Sequence, residues 1–314
     1  MPRESFPIGP VRVRAGSARN VELPITKLVT GADISLPVRI LHGKEDGPVV
    51  WVDAAIHGDE VSGIEVIHEV LDGLSASTLR GTLIAVPIVN VIGFLNGDRY
   101  LPDRRDLNRS FPGSARGSLA SRVAHLMMTE VVGKCEVGID LHSGSDGRSN
   151  LPQIRADLDD PRTRGLAEAF GAPVMYHAKL RDGSLRWAAR EQGATVLLYE
   201  AGEAWRMDPW AVDSGVAGVQ RVLAALDMID PVDRPTHGVR ETRSSGWVRA
   251  RRTGLLRLDV ELGQEVDEGD RLGGLYDSFG RTQRLVRADR SGVVIGLAKV
   301  PLVNSGDALV HIAQ

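Results

Sequence analysis

Four side chains in this sequence have the types and spacing to assemble a hydrolytic metal centre: His57, Glu60, His142 and Glu200. His57 and Glu60 stand three residues apart in His57-Gly58-Asp59-Glu60, directly after an apolar run from Val49 to Ile56. His142 closes a second apolar run, Val137 to Leu141, far downstream. Two imidazoles and one carboxylate form a donor set that holds zinc and leaves a position for water, whose pKa then falls toward ~7. Such a centre also needs a carboxylate that takes the proton of the water and returns it to the leaving group. Glu200, at the end of the run Thr195 to Tyr199, is the candidate, with Glu203, past Gly202, ranked second. Asp140 lies two residues before His142 on the same strand face, so it either orients that ligand or is a turn residue at the strand end.

A second group sits in the loop-like stretch Arg104-Arg105-Asp106-Leu107-Asn108-Arg109. Asn108 and Arg109 offer an amide and a planar guanidinium fork, suited to a substrate carboxylate. Arg99, ten residues before Arg109, is a candidate for stabilising the oxyanion that develops when a carbonyl is attacked. Each residue also has a plainer reading. His57 and Glu60 would suit a helix start with an acidic first turn. His142 alone would suit a satisfied core histidine, Glu200 a surface carboxylate, and a loop with four arginines a solvated surface. The chemical reading rests on convergence, and convergence depends on the elements around these positions.

Apolar runs at 48–56, 82–90, 137–142, 173–177 and 195–200 look like buried strands. They alternate with helical periodicity at roughly 60–74, 118–133, 161–171, 184–192 and 211–228, with Ser118 and Ser184 as candidate N-caps. This alternation predicts an α/β fold whose mixed, largely parallel sheet is flanked by helices. Ligands bind such sheets at the carboxyl ends of the strands. Three runs end there with His57 and Glu60, with His142, and with Glu200.

Short strands between 10 and 45 make up an N-terminal β segment, 1–45. Residues 229–235 read as a linker, which divides the chain into an α/β domain, 1–235, and a C-terminal all-β domain, 236–314. The second domain contains a repeat: Thr253 to Leu272 parallels Ser291 to Leu309, each with a Gly turn, a strand, a Gly-Asp turn and a strand. Two such halves are expected to fold into one small β sandwich or barrel.

Composition narrows the partners. A 314-residue chain that is 42 % hydrophobic but only 4 % aromatic builds its core from Val, Leu, Ile and Ala. The net charge of −3 argues against a nucleic-acid surface. No apolar run approaches the ~20 residues that span a bilayer, and the N-terminus has no apolar signal core. The single cysteine, Cys135, excludes an internal disulfide and fits a reducing compartment, so a soluble cytoplasmic protein is expected. Cys135 precedes its strand, at the wrong end of the sheet for a nucleophile. His68-Glu69 begins a partial His-Glu-x-x-His, but Asp72 stands where the second His belongs. Neither a Gly-x-Ser-x-Gly elbow nor a phosphate-binding Gly loop occurs. The oligomeric state is left open, a homo-oligomer included.

In their order along the chain, four motifs resemble those of the succinylglutamate desuccinylase/aspartoacylase family, a branch of the zinc carboxypeptidase-like hydrolases. They are His57-Gly58-Asp59-Glu60, Asp106-Leu107-Asn108-Arg109-Ser110-Phe111-Pro112-Gly113, Asp140-Leu141-His142-Ser143-Gly144 and Glu200-Ala201-Gly202. The resemblance covers about 45 to 235, and the β tail is similar to that family's C-terminal domain. It implies one Zn2+ per chain on His57, Glu60 and His142, with Glu200 as general base and acid. It implies Asn108 and Arg109 as binders of a substrate carboxylate, and an arginine in the place of Arg99, for which Arg105 competes, polarising the scissile carbonyl. The usual Glu-Leu-Gly of the family is Glu200-Ala201-Gly202 here. The overall pattern is similar to a prokaryotic branch that includes N-acetyl-diaminobutyrate deacetylases.

The activity so implied is a zinc amidohydrolase that removes a small acyl group from an N-acyl amino acid, a small-molecule substrate. Its rivals are a zinc carboxypeptidase acting on small peptides and a non-catalytic, metal-containing metabolite-binding protein. The C-terminal repeat also looks like a barrel-sandwich hybrid, the shape of biotinyl and lipoyl carrier domains. The stretch between its halves, Asp277 to Arg281, has no Lys to carry a cofactor, so a structural domain that shapes or caps the cleft is expected. Trp247 and Arg249 read as ordinary strand residues ahead of substrate contacts.

Overall fold

The computed structural model describes residues 3–145, 147–232 and 238–314. The chain begins with β1 (Phe6–Ile8), β2 (Val11–Val13), β3 (Ser17–Lys27), β4 (Asp33–His42) and β5 (Glu45–Ala54). It continues through α1 (Ser62–Asp72), β6 (Arg80–Val86), α2 (Val91–Asn96) and α3 (Leu119–Glu130). Next come β7 (Val137–Gly144), β8 (Arg148–Ala156), α4 (Pro161–Phe170), β9 (Val174–His177), α5 (Leu185–Glu191), β10 (Thr195–Glu203) and α6 (Pro209–Ala225). The remaining elements are all strands: β11 (Arg240–Thr242), β12 (Ser245–Arg249), β13 (Gly254–Leu258), β14 (Glu265–Val266) and β15 (Arg271–Tyr276). They end with β16 (Thr282–Arg287), β17 (Gly292–Ala298), β18 (Leu302–Val303) and β19 (Ala308–Ala313).

Ten strands lie side by side in the order β12-β19-β17-β8-β10-β7-β5-β6-β4-β3, with β9, β11 and β14 branching from this path. The four at the centre, β10, β7, β5 and β6, are mutually parallel. Outside them, β4 joins β6 and β8 joins β10 antiparallel. The sheet is therefore mixed and less parallel than strand–helix alternation predicts. The N-terminal hairpin β3–β4 and the strand β8, which follows β7 without an intervening helix, account for the difference.

Strand alternation sends successive side chains to opposite faces. Val50, Val52 and Ala54 of β5, Ile139 and Leu141 of β7, and Leu197 and Tyr199 of β10 pack against α1, α4 and α6. Trp51 of β5 and Val196 of β10 pack on the other face, against α3, α5 and the inner residues of β1 to β4. Asp53, Asp140 and His142 share that second face, so the polar positions of the central strands gather on one side. On α1, Ile64, Val66, Ile67 and Val70 are buried, each contributing about 1.5–3 kcal/mol. Ser118 and Ser184 cap α3 and α5 as predicted, accepting from Ser121 N at 3.3 Å and Trp187 N at 3.2 Å.

The C-terminal strands divide. β16-β15-β13-β18 form a separate four-stranded sheet, whereas β12, β17 and β19 extend the large one. Leu256, Leu272, Leu275 and Val286 of the small sheet share a core with Val294 and Leu297 of β17 and Leu309 and Ile312 of β19. The boundary expected between 235 and 236 lies outside the described residues, as do residues 233–235 of the expected linker. Among the described residues, no helix is long and apolar enough to cross a membrane.

Candidate metal centre and substrate cavity

β5 ends at Ala54, and the chain turns through Ala55 with a φ of 51°. Backbone hydrogen bonds from Val89 N to Ala54 O (3.0 Å) and from Asn90 N to Ala55 O (2.9 Å) hold this turn. A Cβ on Gly58 would lie 2.3 Å from backbone atoms of both Gly93 and Phe94, so α2 seats directly on the motif and no larger residue fits. The turn delivers His57 and Glu60 to the end of β5 beside His142 on β7. All three are buried, at 5, 3 and 4 % exposure.

The Glu60 carboxylate bridges the two imidazoles. Its Oε1 is 2.9 Å from His57 Nδ1 and its Oε2 is 2.6 Å from His142 Nδ1. One ligand atom from each residue lies within 4.8 Å of the others. The opposite ring nitrogens also face carboxylates: His57 Nε2 lies 3.2 Å from Asp106 Oδ1, and His142 Nε2 lies 2.9 Å from Asp140 Oδ1. A carboxylate behind each imidazole is the arrangement that orients metal-ligating histidines. His57 Nδ1 is buried and makes no well-aligned hydrogen bond although it faces Glu60, and this donor set fits a divalent cation.

The electrostatics point the same way. Burial by itself would raise the Glu60 carboxyl, but His57 and His142 hold it well below the usual carboxylate range. Burial works against charge on the imidazoles. Glu60 and Asp106 outweigh it at His57, and Asp140 and Glu60 outweigh it at His142, so both are raised. Asp106 is brought down to about 2 against its own burial, by its hydrogen bond to His57 and that ring's charge. A cluster that gathers protons on its ligand rings is one where metal binding and proton release are linked.

A cavity of about 400 Å³ opens over this cluster. Its wall includes the first-ranked candidates His57, Glu60, Arg99, Asn108, Arg109, His142 and Glu200. Glu200 projects from β10, where Asn150 Nδ2 donates to its Oε2 at 2.6 Å and Arg155 Nη1 lies 3.4 Å from its Oε1. Glu203, the second-ranked carboxylate, faces Arg206 at 3.4 Å and lies off the cavity wall. Arg99 donates from Nη1 to Glu60 Oε1 at 2.6 Å, with Nη2 3.0 Å from His57 Nε2. Arg105, its competitor, is exposed and, among the described residues, pairs only with Asp103, at 3.9 Å.

Asp106 caps the 3-10 turn Leu107–Arg109 by accepting from Asn108 N at 2.9 Å. Asn108 then uses its Oδ1 to accept from Leu185 N (2.9 Å), which ties the turn to α5. Its amide nitrogen makes no hydrogen bond among the described residues. Arg109 beside it donates to the Asn108 carbonyl and lines the cavity.

Several wall residues were not foreseen. Asn150 and Arg155 sit on β8, whose polar content hid it as a strand. Arg186 on α5 is buried, with Nη2 donating to Lys179 O at 3.2 Å and Nη1 left without a partner. Burial, with Arg155 nearby, lowers its guanidinium to about 10. Lys179 and Arg181 add further positive charge to the wall. Trp247, read as a plain strand residue, also lines the cavity, stacked on His311 with ring centroids 4.6 Å apart. Arg249 does not reach it and donates to Gly306 O. His68 is exposed beside Glu65, as expected of a surface position.

A central parallel sheet with two imidazoles and a carboxylate at its carboxyl edge defines an α/β protein with a His/Glu cluster at its strand ends that could hold a metal ion. A model of the succinylglutamate desuccinylase/aspartoacylase catalytic domain matches residues 46–226. The N-alpha-acetyl-L-2,4-diaminobutyric acid deacetylase of Halomonas elongata is 30 % identical over 295 residues, 90 % of this chain and 86 % of that one. A succinylglutamate desuccinylase of Burkholderia cenocepacia is 29 % identical over 173 residues, 49 % of each chain. Among solved structures, a succinylglutamate desuccinylase/aspartoacylase from Rhodobacter sphaeroides superposes with a TM-score of 0.84 at 25 % identity, over 95 % of both chains. The product-bound ectoine utilization protein of Ruegeria pomeroyi has the same fold, with a TM-score of 0.86 at 24 % identity, over 99 % of this chain and 98 % of that one. The chain belongs to the succinylglutamate desuccinylase/aspartoacylase family.

Proposed function

We propose that this protein is a zinc-dependent amidohydrolase that removes a small acyl group from an N-acyl amino acid. The observation that carries the reading is the Glu60 carboxylate held between two imidazoles, His57 and His142, on the wall of the cavity that Glu200 also lines. His57, Glu60 and His142 would hold the ion. A zinc ion held there would supply Lewis acidity for acidifying a water and polarising a carbonyl oxygen. Glu200 accepts the proton of the attacking water and returns it to the leaving amine nitrogen. Arg99, already beside Glu60, offers its guanidinium to the developing oxyanion. Asn108, through its free amide, and Arg109 hold a substrate carboxylate.

Relatives named as a deacetylase and a desuccinylase support amide hydrolysis. The wall itself supports an anionic substrate, since seven of its side chains are Arg or Lys and two are Glu. The same reading places the protein in the cytoplasm, with Cys135 as an unpaired thiol. It divides the chain at 235–236, the second part being a barrel-sandwich-like β unit that walls the cleft through Trp247. The experiment is metal analysis of the purified protein combined with a release assay for free amine. Substrates are N-acetyl and N-succinyl amino acids, N-acetyl-diaminobutyrate included, set against dipeptides. Stoichiometric zinc with turnover of an N-acyl amino acid is expected. Zinc-free protein, or cleavage of dipeptides alone, overturns the reading.

A further inference from the structure

The C-terminal strands reach the candidate site with a single residue. Among the described residues, every member of the cavity wall precedes Ala201 except Trp247, on β12. Its indole is held by three neighbours. It stacks on His311, its register partner on β19, with the planes 11° from parallel. His311 is itself fixed, with Nε2 2.9 Å from Ser245 Oγ. The Arg148 guanidinium lies over the indole, 5.6 Å from the ring centroid. Gly296 on β17 makes room for the ring edge, since a Cβ there would lie 3.2 Å from Trp247 Cη2. A ring packed in this way has no free space to swing into, so it acts as a wall and not as a lid.

The sheet order says which part of a substrate meets that wall. β5 leads into His57 and Glu60, β7 carries His142, β10 carries Glu200 and β8 carries Asn150, with β17, β19 and β12 beyond. Gly296, against which the indole rests, is the register partner of Asn150, whose Nδ2 holds Glu200 Oε2 at 2.6 Å. Trp247 therefore stands past Glu200 as seen from the ligand cluster. Asn108 and Arg109 stand on the other side, just after Asp106, whose Oδ1 lies 3.2 Å from His57 Nε2. The trans amide of an N-acyl amino acid places its acyl chain and its amino-acid carbon at opposite ends of the C–N bond. With the carbonyl at the His/Glu cluster and the carboxylate at Asn108 and Arg109, the acyl chain runs past Glu200 toward the indole. A second cavity, of about 630 Å³ beside β12, β15 and β16, shares Trp247 and no other residue with the first. Removing the indole therefore gives a longer chain room to continue.

We propose that Trp247 is a specificity-determining residue: its indole ends the acyl subsite and restricts the enzyme to short acyl groups. This role rests on the amidohydrolase reading of the same cavity, so its test has one arm with turnover and one without. The probes are N-acetyl-L-glutamate, N-butyryl-L-glutamate and N-hexanoyl-L-glutamate. A second series, N-acetylglycine, N-acetylalanine and N-acetylnorleucine, varies the other end of the substrate. Trp247→Ala removes the wall, and Trp247→Phe keeps a shorter ring against His311.

Zinc-loaded wild type should lose about tenfold or more in kcat/KM for each methylene that meets the indole. Trp247→Ala should raise the hexanoyl-to-acetyl ratio of kcat/KM about tenfold or more, Trp247→Phe should raise it less, and neither should move the norleucine-to-glycine ratio. A gain on the long substrate cannot come from damage to the fold. Calorimetric affinities of chelated protein for the same probes should shift in the same sense. An unchanged hexanoyl-to-acetyl ratio, or a gain confined to the amino-acid series, overturns the proposal. Should Trp247→Ala fail to fold, the ratio in Trp247→Phe decides. A wild type that hydrolyses none of the probes sinks the amidohydrolase reading by itself, and the calorimetric ratio then still decides whether Trp247 limits the chain. Protein that binds none of them overturns both.

Discussion

Glu200 and His142 are partners in the parallel ladder of β10 and β7. Register partners project from the same face one strand spacing apart, about 4.8 Å. The proposed proton carrier and a proposed metal ligand are thus set relative to each other by backbone pairing, which does not depend on loop conformation. Replacing Glu200 should therefore remove chemistry and leave the ligands in place. We expect Glu200→Gln to keep the zinc content and KM of the wild type and to lose about 10²–10⁴-fold in kcat, the usual contribution of a positioned acid–base group. Turnover near the wild-type level, or loss of zinc, would contradict the assignment.

Metal removal should act on stability as well as activity. The buried Glu60 carboxylate faces two imidazoles and Arg99, and a divalent ion that binds only the folded state stabilises it by about 2.7 kcal/mol at a free concentration 100 times Kd. Adding zinc to chelated protein should raise its Tm and restore hydrolysis together. His142→Ala should abolish both responses. A Tm that rises equally in His142→Ala would place the ion elsewhere.

Asn150 holds Glu200 by a charge-assisted hydrogen bond of 2.6 Å. Bonds of this kind contribute about 1.5–3 kcal/mol, so Asn150→Ala should lower kcat about tenfold or more while KM changes little. An equal change in both parameters would mean that Asn150 contacts substrate instead of aiming the carboxylate.

His311, stacked on Trp247, predicts an acid-dependent loss of stability. Burial first, then Arg155 and Arg290, lower its imidazole from 6.5 to about 3. The unfolded chain therefore binds a proton that the folded one refuses at any pH between these values. Stability is fully present above about 6.5 and falls as pH drops toward about 3, by up to about 1.4 kcal/mol per pH unit. Urea denaturation at about pH 7 and about pH 5 should show a steeper loss for the wild type than for His311→Gln. Parallel slopes would show that His311 takes up its proton while folded.

The central strands were legible because they are apolar on both faces, and the two serine caps were legible because each precedes a periodic segment. The candidate ligands were read from strand ends, and their side chains meet there. β8 was not legible. It carries Asn150, Pro152, Gln153 and Arg155, and its buried Gln153 donates from Nε2 both to the nearby Leu151 O and to the distant Ile295 O. Asn150 and Arg155 were hidden with it. The expected run 82–90 stops as a strand at Val86 because Asn90 caps α2, accepting from Gly93 N at 2.8 Å. Arg186 resembled any arginine on a short helix. Its placement depends on α5 docking against the loop that Asn108 holds, which is a tertiary fact.

Gly296 of β17 pairs with Asn150 of β8, and a Cβ on Gly296 would lie 3.1 Å from the Asn150 amide oxygen. The last quarter of the chain therefore presses on the residue that holds Glu200. Proteolytic trimming before β12 would strip one flank from the first residues of β8 and leave bare main-chain donors and acceptors there, an open template for intermolecular strand addition. Such a shortened protein would precipitate and idle at once, because the same ladder serves as seam and as gunsight.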